Sequence, residues 1–226
     1  MEEWLLKKDF AVIGLGTFGG SICKELSKMG MEVLAIDKDE HIVADYSHIA
    51  TQAVVADAKE EQVLRELGIW NFDHVIVAIG NDIQSSILIT IMLKELGVKK
   101  VTAKALSDIH EKVLRKVGAD HVVHPERDMG RRLAHNLISS NVLEYLALSD
   151  KYSIVELQVN GPIVGRSLID LNVRARYGIN VVAIKRNDDL IVSNVAEEIL
   201  QEYDILVAIG SDEDIARFEK KFFRQR

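Results

Sequence analysis

Apolar positions in the first 140 residues follow two alternating rhythms. Short unbroken apolar runs are separated by longer stretches in which apolar residues recur every three or four positions. Phe10–Leu15 (FAVIGL) is apolar throughout and ends at glycine, as expected of a strand buried on both faces of a parallel sheet. Phe18, Ile22, Leu26 and Met29 then fall at helical steps, and Gly30 stops that helix. The same alternation predicts strands over Glu32–Asp37, Gln52–Asp57, His74–Gly80, Lys100–Ala105 and His121–His124. It predicts helices over His41–Tyr46, around Val63, Leu64 and Leu67, and over Ile83–Leu96, Ile109–Val117 and Glu126–Ile138. Strand and helix alternating in this way predict an α/β fold, a doubly wound parallel (Rossmann-like) sheet with right-handed crossovers. The helix over Ile83–Leu96 has a broader apolar face than one sheet contact requires. Its Ile83, Ile87, Leu88, Ile91 and Met92 are expected to lie partly at a subunit interface.

After residue 138 the rhythm changes. The stretch SSNVLEYLALSD (139–150) reads as a boundary. Beyond it, Tyr152–Val159, Asn180–Lys185, Leu190–Ser193 and Asp204–Ile209 are strand-like, with helical pieces near Leu168–Ala175 and Ile215–Phe222. Asn187-Asp188-Asp189 is a turn signal that predicts a hairpin. The expected organisation is a nucleotide-binding domain over 1–140 and a small α+β domain over 141–226.

Composition narrows the class. At 48% apolar and 28% charged residues, the chain can bury a core and is not a disordered tail. No stretch approaches the roughly 18 to 20 apolar residues that span a bilayer. The acidic start, Met1-Glu2-Glu3-Trp4, lacks the pattern of a signal peptide, and a single cysteine fits a reducing compartment, so a cytoplasmic protein is expected. Twenty-eight Lys and Arg against 35 Asp and Glu leave a net charge of −7, which disfavours nucleic acid as a partner.

The chemistry begins at Gly14-Leu15-Gly16-Thr17-Phe18-Gly19, a G-x-G-x-x-G motif where the first strand meets the first helix. In that context Gly14 permits the tight turn, Gly16 lets backbone approach phosphates, and Gly19 lets helix pack on strand. The helix N-terminus favours a pyrophosphate. Asp37 ends the second strand, where a carboxylate accepts bonds from ribose hydroxyls and repels a 2′-phosphate, which disfavours NADP. Asp57-Ala58 and Ala78-Ile79-Gly80-Asn81 follow the third and fourth strands, and their small residues leave room for adenosine. Lys104 lies inside an apolar strand and needs a carboxylate or phosphate partner. Glu126, after Pro125, either caps its helix or binds a metal ion. His121 and His124 sit on opposite faces of a strand, a poor arrangement for zinc.

FAVIGLGTFGGSICKEL, EVLAID, HVIVAIG, KVTAKA, HPERDMG, SIVEL and SLIDLNVRARYGINVVAIKR together give the chain a resemblance over residues 9–223. It resembles the cytosolic regulatory subunits of Ktr-type bacterial potassium-uptake systems, which carry an N-terminal TrkA-N (RCK-N) and a C-terminal TrkA-C (RCK-C) domain. The resemblance implies dimers assembled into an octameric ring beneath a separate K⁺-translocating membrane subunit, and so a peripheral position on the inner face of the membrane. It implies activation by ATP, inactivation by ADP, and occupancy of the same site by NAD or NADH. It also implies cyclic di-AMP in the C-terminal domain. Matched to the family's nucleotide positions are Gly14, Gly16, Thr17, Phe18, Gly19, Ile36, Asp37, Lys38, Asp57, Ala58, Ala78, Ile79, Gly80, Asn81, Lys104, Ala105, His110 and Glu126, with Glu126 the candidate ligand of a Mg²⁺ ion. Ile169, Arg174, Ala175, Ile179 and Asn180 match the cyclic di-AMP positions. Thr17 stands where relatives usually carry an arginine that reaches the terminal phosphate of ATP, and Asn194 where they often carry proline.

Two functions are then in play. One is a ligand-gated regulator without chemistry of its own; the other is an NAD-dependent oxidoreductase with a small substrate domain. A dehydrogenase needs a proton donor or acceptor within about 3 Å of the reacting oxygen. Residues 150–226 hold no His and no Cys, which favours the regulator.

Overall fold

A computed structural model describes residues 8–138, 142–149 and 151–223. It divides into two compact units, Met1–Pro125 and Glu126–Arg226. The first unit runs β1 (Asp9–Ile13), α1 (Thr17–Lys28), β2 (Glu32–Asp37), α2 (Glu40–Tyr46), β3 (Gln52–Val55), α3 (Glu61–Glu66), β4 (His74–Val77), α4 (Ile83–Glu95), β5 (Val101–Lys104), α5 (Asp108–Lys116) and β6 (His121–Val123). All six strands are parallel, in the order β3-β2-β1-β4-β5-β6. The alternation of side chains along each strand explains the unbroken apolar runs. Ala11, Ile13, Leu34, Ile36, Val75, Val77, Val101 and Ala103 point to one face, where Leu64, Ile89, Leu93 and Leu114 of α3, α4 and α5 cover them. Val12, Val33, Ala35 and Ile76 point to the other, under Cys23 of α1 and Val43 and Tyr46 of α2. Strand order reverses between β1 and β4, which opens a crevice at the carboxyl ends of the strands.

The second unit comprises α6 (Pro125–Ile138), β7 (Val142–Ala147), β8 (Tyr152–Gln158), α7 (Leu168–Leu171), α8 (Val173–Tyr177), β9 (Asn180–Arg186), β10 (Asp189–Ile191), β11 (Ile205–Ser211) and α9 (Asp212–Phe222). Its antiparallel sheet has the order β10-β9-β11-β8-β7. Val155 and Leu157 of β8 and Leu206 and Ala208 of β11 face a core with Ile215 and Phe218 of α9. Tyr177, Phe218, Phe222 and Phe223 close that core as an edge-to-face and tilted aromatic cluster. The hairpin at Asn187 forms as expected, with that residue in the left-handed conformation at φ 53°.

Three features differ from the sequence expectation. Val142–Ala147, inside the stretch read as a boundary, is the edge strand paired to β8. The helical piece over Leu168–Ala175 is two short helices, because Asn172 takes a left-handed conformation at φ 49° and breaks it. The rhythm of the sequence puts the division after residue 140, whereas α6 groups with the second unit. A helix's own apolar stripe does not say which sheet it accompanies.

Candidate functional site

The glycine loop links β1 to α1 at the crevice. Gly14 takes φ 91°, a turn closed by its N–H donating to the Ile36 carbonyl at 2.8 Å. Gly16 is the N-cap of α1, and a Cβ placed there would meet nothing within 4 Å. The first N–H groups of a helix have no acceptor within it, so this bare cap leaves them to face an incoming anion. Gly19 faces inward: a Cβ on it would lie 1.9 Å from the Gly14 carbonyl oxygen and 2.8 Å from Ala78 Cβ. Tight packing thus requires one glycine of the motif, and open space before the helix suits another.

Asp37 does more than end β2. Its Oδ2 accepts from the Leu15 N–H of the glycine loop at 2.7 Å, and its Oδ1 accepts from the Asp39 N–H at 3.0 Å. The carboxylate fixes the loop while keeping lone pairs for a ligand hydroxyl, since each carboxylate oxygen can accept two bonds.

These residues border a cavity of about 300 Å³, at the lower end of the range of small-molecule sites. Gly14, Gly16, Ile36, Asp37, Lys38, Asp57, Ala58, Ala78, Ile79, Gly80 and Asn81 line it, each a candidate from the sequence. Asp57 accepts from the Lys59 N–H at 3.0 Å, which orients its carboxylate. Ile13, Ile42, Ala56 and Asp82 line it too and were not singled out by sequence. Asp82 caps α4 by accepting from the Ser85 N–H at 3.0 Å, and its hydrogen bonds to Ser85 hold its carboxyl below the usual range. Its place in the cavity depends on the fold and not on a local motif.

The other candidates do not line this cavity. Thr17 is exposed at the first position of α1, and Phe18 and Gly19 lie within that helix. Lys104 is buried, with its Nζ 5.8 Å from the centre of the Phe18 ring, and a Cβ on Gly80 would lie 3.4 Å from that nitrogen. Ala105 and His110 are buried. His110 Nδ1 accepts from the Leu106 N–H at 3.3 Å, and its Nε2 has no partner among the described residues. Burial pushes that imidazole below its ordinary pKa, and the neighbouring His124 adds to the shift. Glu126 opens α6 in the second unit.

Asp108, Glu111 and His124 place donor atoms within 4.8 Å of one another. Glu111 is already engaged, its Oε2 2.7 Å from His124 Nε2 and its Oε1 accepting from Arg115 Nε at 2.9 Å. Those bonds, first Arg115 and then His124, hold its carboxyl below the usual range. His121, by contrast, is exposed, and the pair His121 and His124 does not converge.

A second cavity, of about 290 Å³ and likewise at the small end of ligand sites, lies in the second unit. Ile169, Arg174, Ile179 and Asn180 line it, and Ala175 does not. Leu168, Asn172, Val173, Val181 and Ala196 complete the lining. The left-handed Asn172 brings Ile169 and Arg174, on separate short helices, to one cavity. Asn194 takes φ 52°, which the ring of a proline forbids, so the backbone here departs from the proline expected of relatives.

Among the described residues no helix is long and apolar enough to cross a membrane. Residues 10–125 match the TrkA-N domain and residues 152–222 the TrkA-C domain. The chain is 59% identical over 216 residues to Ktr system potassium uptake protein C of Bacillus subtilis (strain 168), covering 96% of this chain and 98% of that one. It is 53% identical over 214 residues to Ktr system potassium uptake protein A of the same organism, covering 95% and 96%. The crystal structure of the GsuK RCK domain superposes with a TM-score of 0.68 at 16% identity, covering all of this chain and half of that one, a likeness of fold. With both domain models matched and identity this high over nearly the full length, the chain belongs to the family of Ktr-type potassium-uptake regulatory subunits, built from a TrkA-N and a TrkA-C domain.

Proposed function

We propose that this chain is a nucleotide-sensing gating subunit and not an enzyme. It binds ATP or ADP, and in the same place NAD or NADH, in the cavity at the end of β1. It binds cyclic di-AMP in the cavity beside α7, α8 and β9. Ligand state alters the shape of an oligomeric ring, octameric in the family it resembles, and the ring gates a K⁺-translocating membrane subunit. The observation that carries this reading is the bare Gly16 cap facing the same cavity as Asp37, an anion site and a hydroxyl site side by side. The face of α4 supports assembly. The helix buries Ser85, Ser86 and Thr90 and leaves Ile83 and Leu88 more than 40% exposed, which suits a second copy as cover. Met92, expected at that face, instead belongs to the chain's own core, and Ile87, also expected there, is half-buried against that core.

The test is calorimetry of ATP, ADP and NAD against the purified chain. Light scattering should accompany it, and K⁺ flux in vesicles that hold the membrane partner. Binding, an oligomer and faster flux with ATP than ADP are expected. Absence of nucleotide binding, or steady NADH consumption with a carbonyl substrate, overturns the reading.

Two residues sharpen it. Arg174 offers a cationic fork to a phosphate of cyclic di-AMP, with Asn180 beside it for a base or ribose. Arg174→Ala should weaken that ligand by about 1.5 to 3 kcal/mol, the size of a charge-assisted hydrogen bond. Calorimetry decides, and wild-type protein with no affinity below about 100 μM, a free energy of only some −5.5 kcal/mol, rejects the site. Thr17 offers a hydroxyl and no charge at the head of α1. Thr17→Arg should raise ATP affinity roughly five- to thirty-fold, or about 1 to 2 kcal/mol, and leave ADP nearly unchanged. Titrations of both nucleotides with and without Mg²⁺ measure this. A wild-type chain that already prefers ATP strongly without metal would assign the discrimination to another cation.

A further inference from the structure

Arg186, the last residue of β9, uses almost all of its guanidinium. Its Nε and Nη2 donate to Asp204 Oδ1 and Oδ2, each at 2.9 Å. Its Nη1 donates to Glu198 Oε1 at 2.7 Å, and Nη2 also reaches the Ile199 carbonyl at 2.9 Å. Asp204 is 2% exposed and accepts a further bond from the Gln201 N–H at 2.8 Å. The acceptors therefore bracket the segment from 198 to 204, which returns the chain from β10 to β11.

The same connection, two residues earlier, supplies part of the second cavity's lining. Ala196 lines the cavity, and its carbonyl accepts from the N–H of Ile169, another lining residue, at 3.0 Å. Ile199 bridges Ser167, Leu200 N–H donates to the Arg166 carbonyl at 3.0 Å, and Gly165 N–H donates to the Leu200 carbonyl at 2.8 Å. Asn180 and Val181, at the start of β9, line the cavity too. One guanidinium thus ties the end of β9, whose start lines the cavity, to residues 198–204, which follow Ala196 and pair with the chain leading into Ile169. Neither Arg186 nor Asp204 lines it.

We propose that Arg186 and Asp204 are positioning residues for the second ligand: they hold the wall carrying Ala196 and Ile169 in its binding geometry. This rests on the reading of that cavity as a cyclic dinucleotide site. The chemistry favours a holding role. A planar fork with several acceptors fixes direction as well as charge, which a lysine ammonium cannot do. The bonds to Asp204 first, and then Glu198, hold the Arg186 pKa above its ordinary value. A wall ordered beforehand spares the ligand the entropy of ordering it at binding.

The test uses the full chain with Arg186→Lys, Asp204→Asn and, for direct contact, Arg174→Ala. Cyclic di-AMP and ATP affinities are measured by calorimetry, and amide exchange is followed without ligand. Arg186→Lys should weaken cyclic di-AMP roughly 2- to 30-fold, the span of indirect couplings, with ATP affinity unchanged. The amides of Ile169, Gly165 and Leu200 should exchange faster, while those of β8 and β11 keep wild-type protection. Arg174→Ala should weaken the ligand and leave these amides alone. Should Asp204→Asn unfold the unit, Arg186→Lys, which keeps the charge at a partly exposed position, carries the comparison. Wild-type exchange at the three amides in Arg186→Lys, or equal loss of protection throughout the sheet, overturns the proposal. If the wild-type chain binds no cyclic di-AMP, the ligand reading fails on its own, and the exchange arm still decides whether the network holds the wall.

Discussion

Gly16→Val should give a protein that folds and binds no nucleotide. Gly16 sits at φ −61° and ψ −170°, a conformation open to any residue, and its missing Cβ faces empty space. Valine is a poorer N-cap than glycine, which costs no more than about 1 kcal/mol. In a chain of this size that lowers a melting temperature by roughly 2 to 4 °C. The side chain would, however, stand where phosphates must approach the first turn of α1. Loss of measurable ATP and ADP binding is expected, with near-normal melting and intact cyclic di-AMP binding. Unchanged nucleotide affinity would remove the glycine loop from the site.

Three residues further on, Gly19→Ala should do the reverse. The added methyl would fall 1.9 Å from the Gly14 carbonyl oxygen, well inside any real contact. Gly14 cannot yield readily, because it is pinned at φ 91° with its N–H bonded to Ile36. Helix α1 must lift from the sheet, at a cost of about 1 to 3 kcal/mol typical of overpacking. Differential scanning calorimetry should show the first unit melting early while the TrkA-C unit keeps its own transition. A wild-type transition for both units would mean that strand and helix are less closely packed than described.

The parallel sheet was legible in the sequence because strands buried on both faces leave unbroken apolar runs, and a helix such as α1 has a glycine, Gly30, to mark its end. The glycine loop and Asp37 were legible for the same reason, since their meaning depends on spacing along one strand-turn-helix unit. What depended on distant residues was not. Ile42 and Ala56 join the cavity only because the sheet order sets β2, with β3 beyond it, beside β1. The second role of Asp37, as anchor of the Leu15 N–H, is likewise a contact across 22 residues. Arg186 and Asp204 lie 18 residues apart and read singly as ordinary surface charges. Strand β7 was hidden because most of its side chains are exposed at an edge, which blurs the alternation that marks a strand.

Helix α4 was legible as a helix and illegible in its orientation, since apolar residues occupy more than one side of it. It turns Ser85, Ser86 and Thr90 inward beside Ile89 and Leu93, and leaves Ile83 and Leu88 outward. On the proposed assembly, a second copy would cover the outward side, and part of the chain's stability would be set by mass action. Melting temperature should therefore climb with protein concentration. Subunits diluted below the assembly threshold become the form most exposed to aggregation and proteolysis. On the proposed assembly, a surplus chain without neighbours to cover α4 would be the form with the least stability.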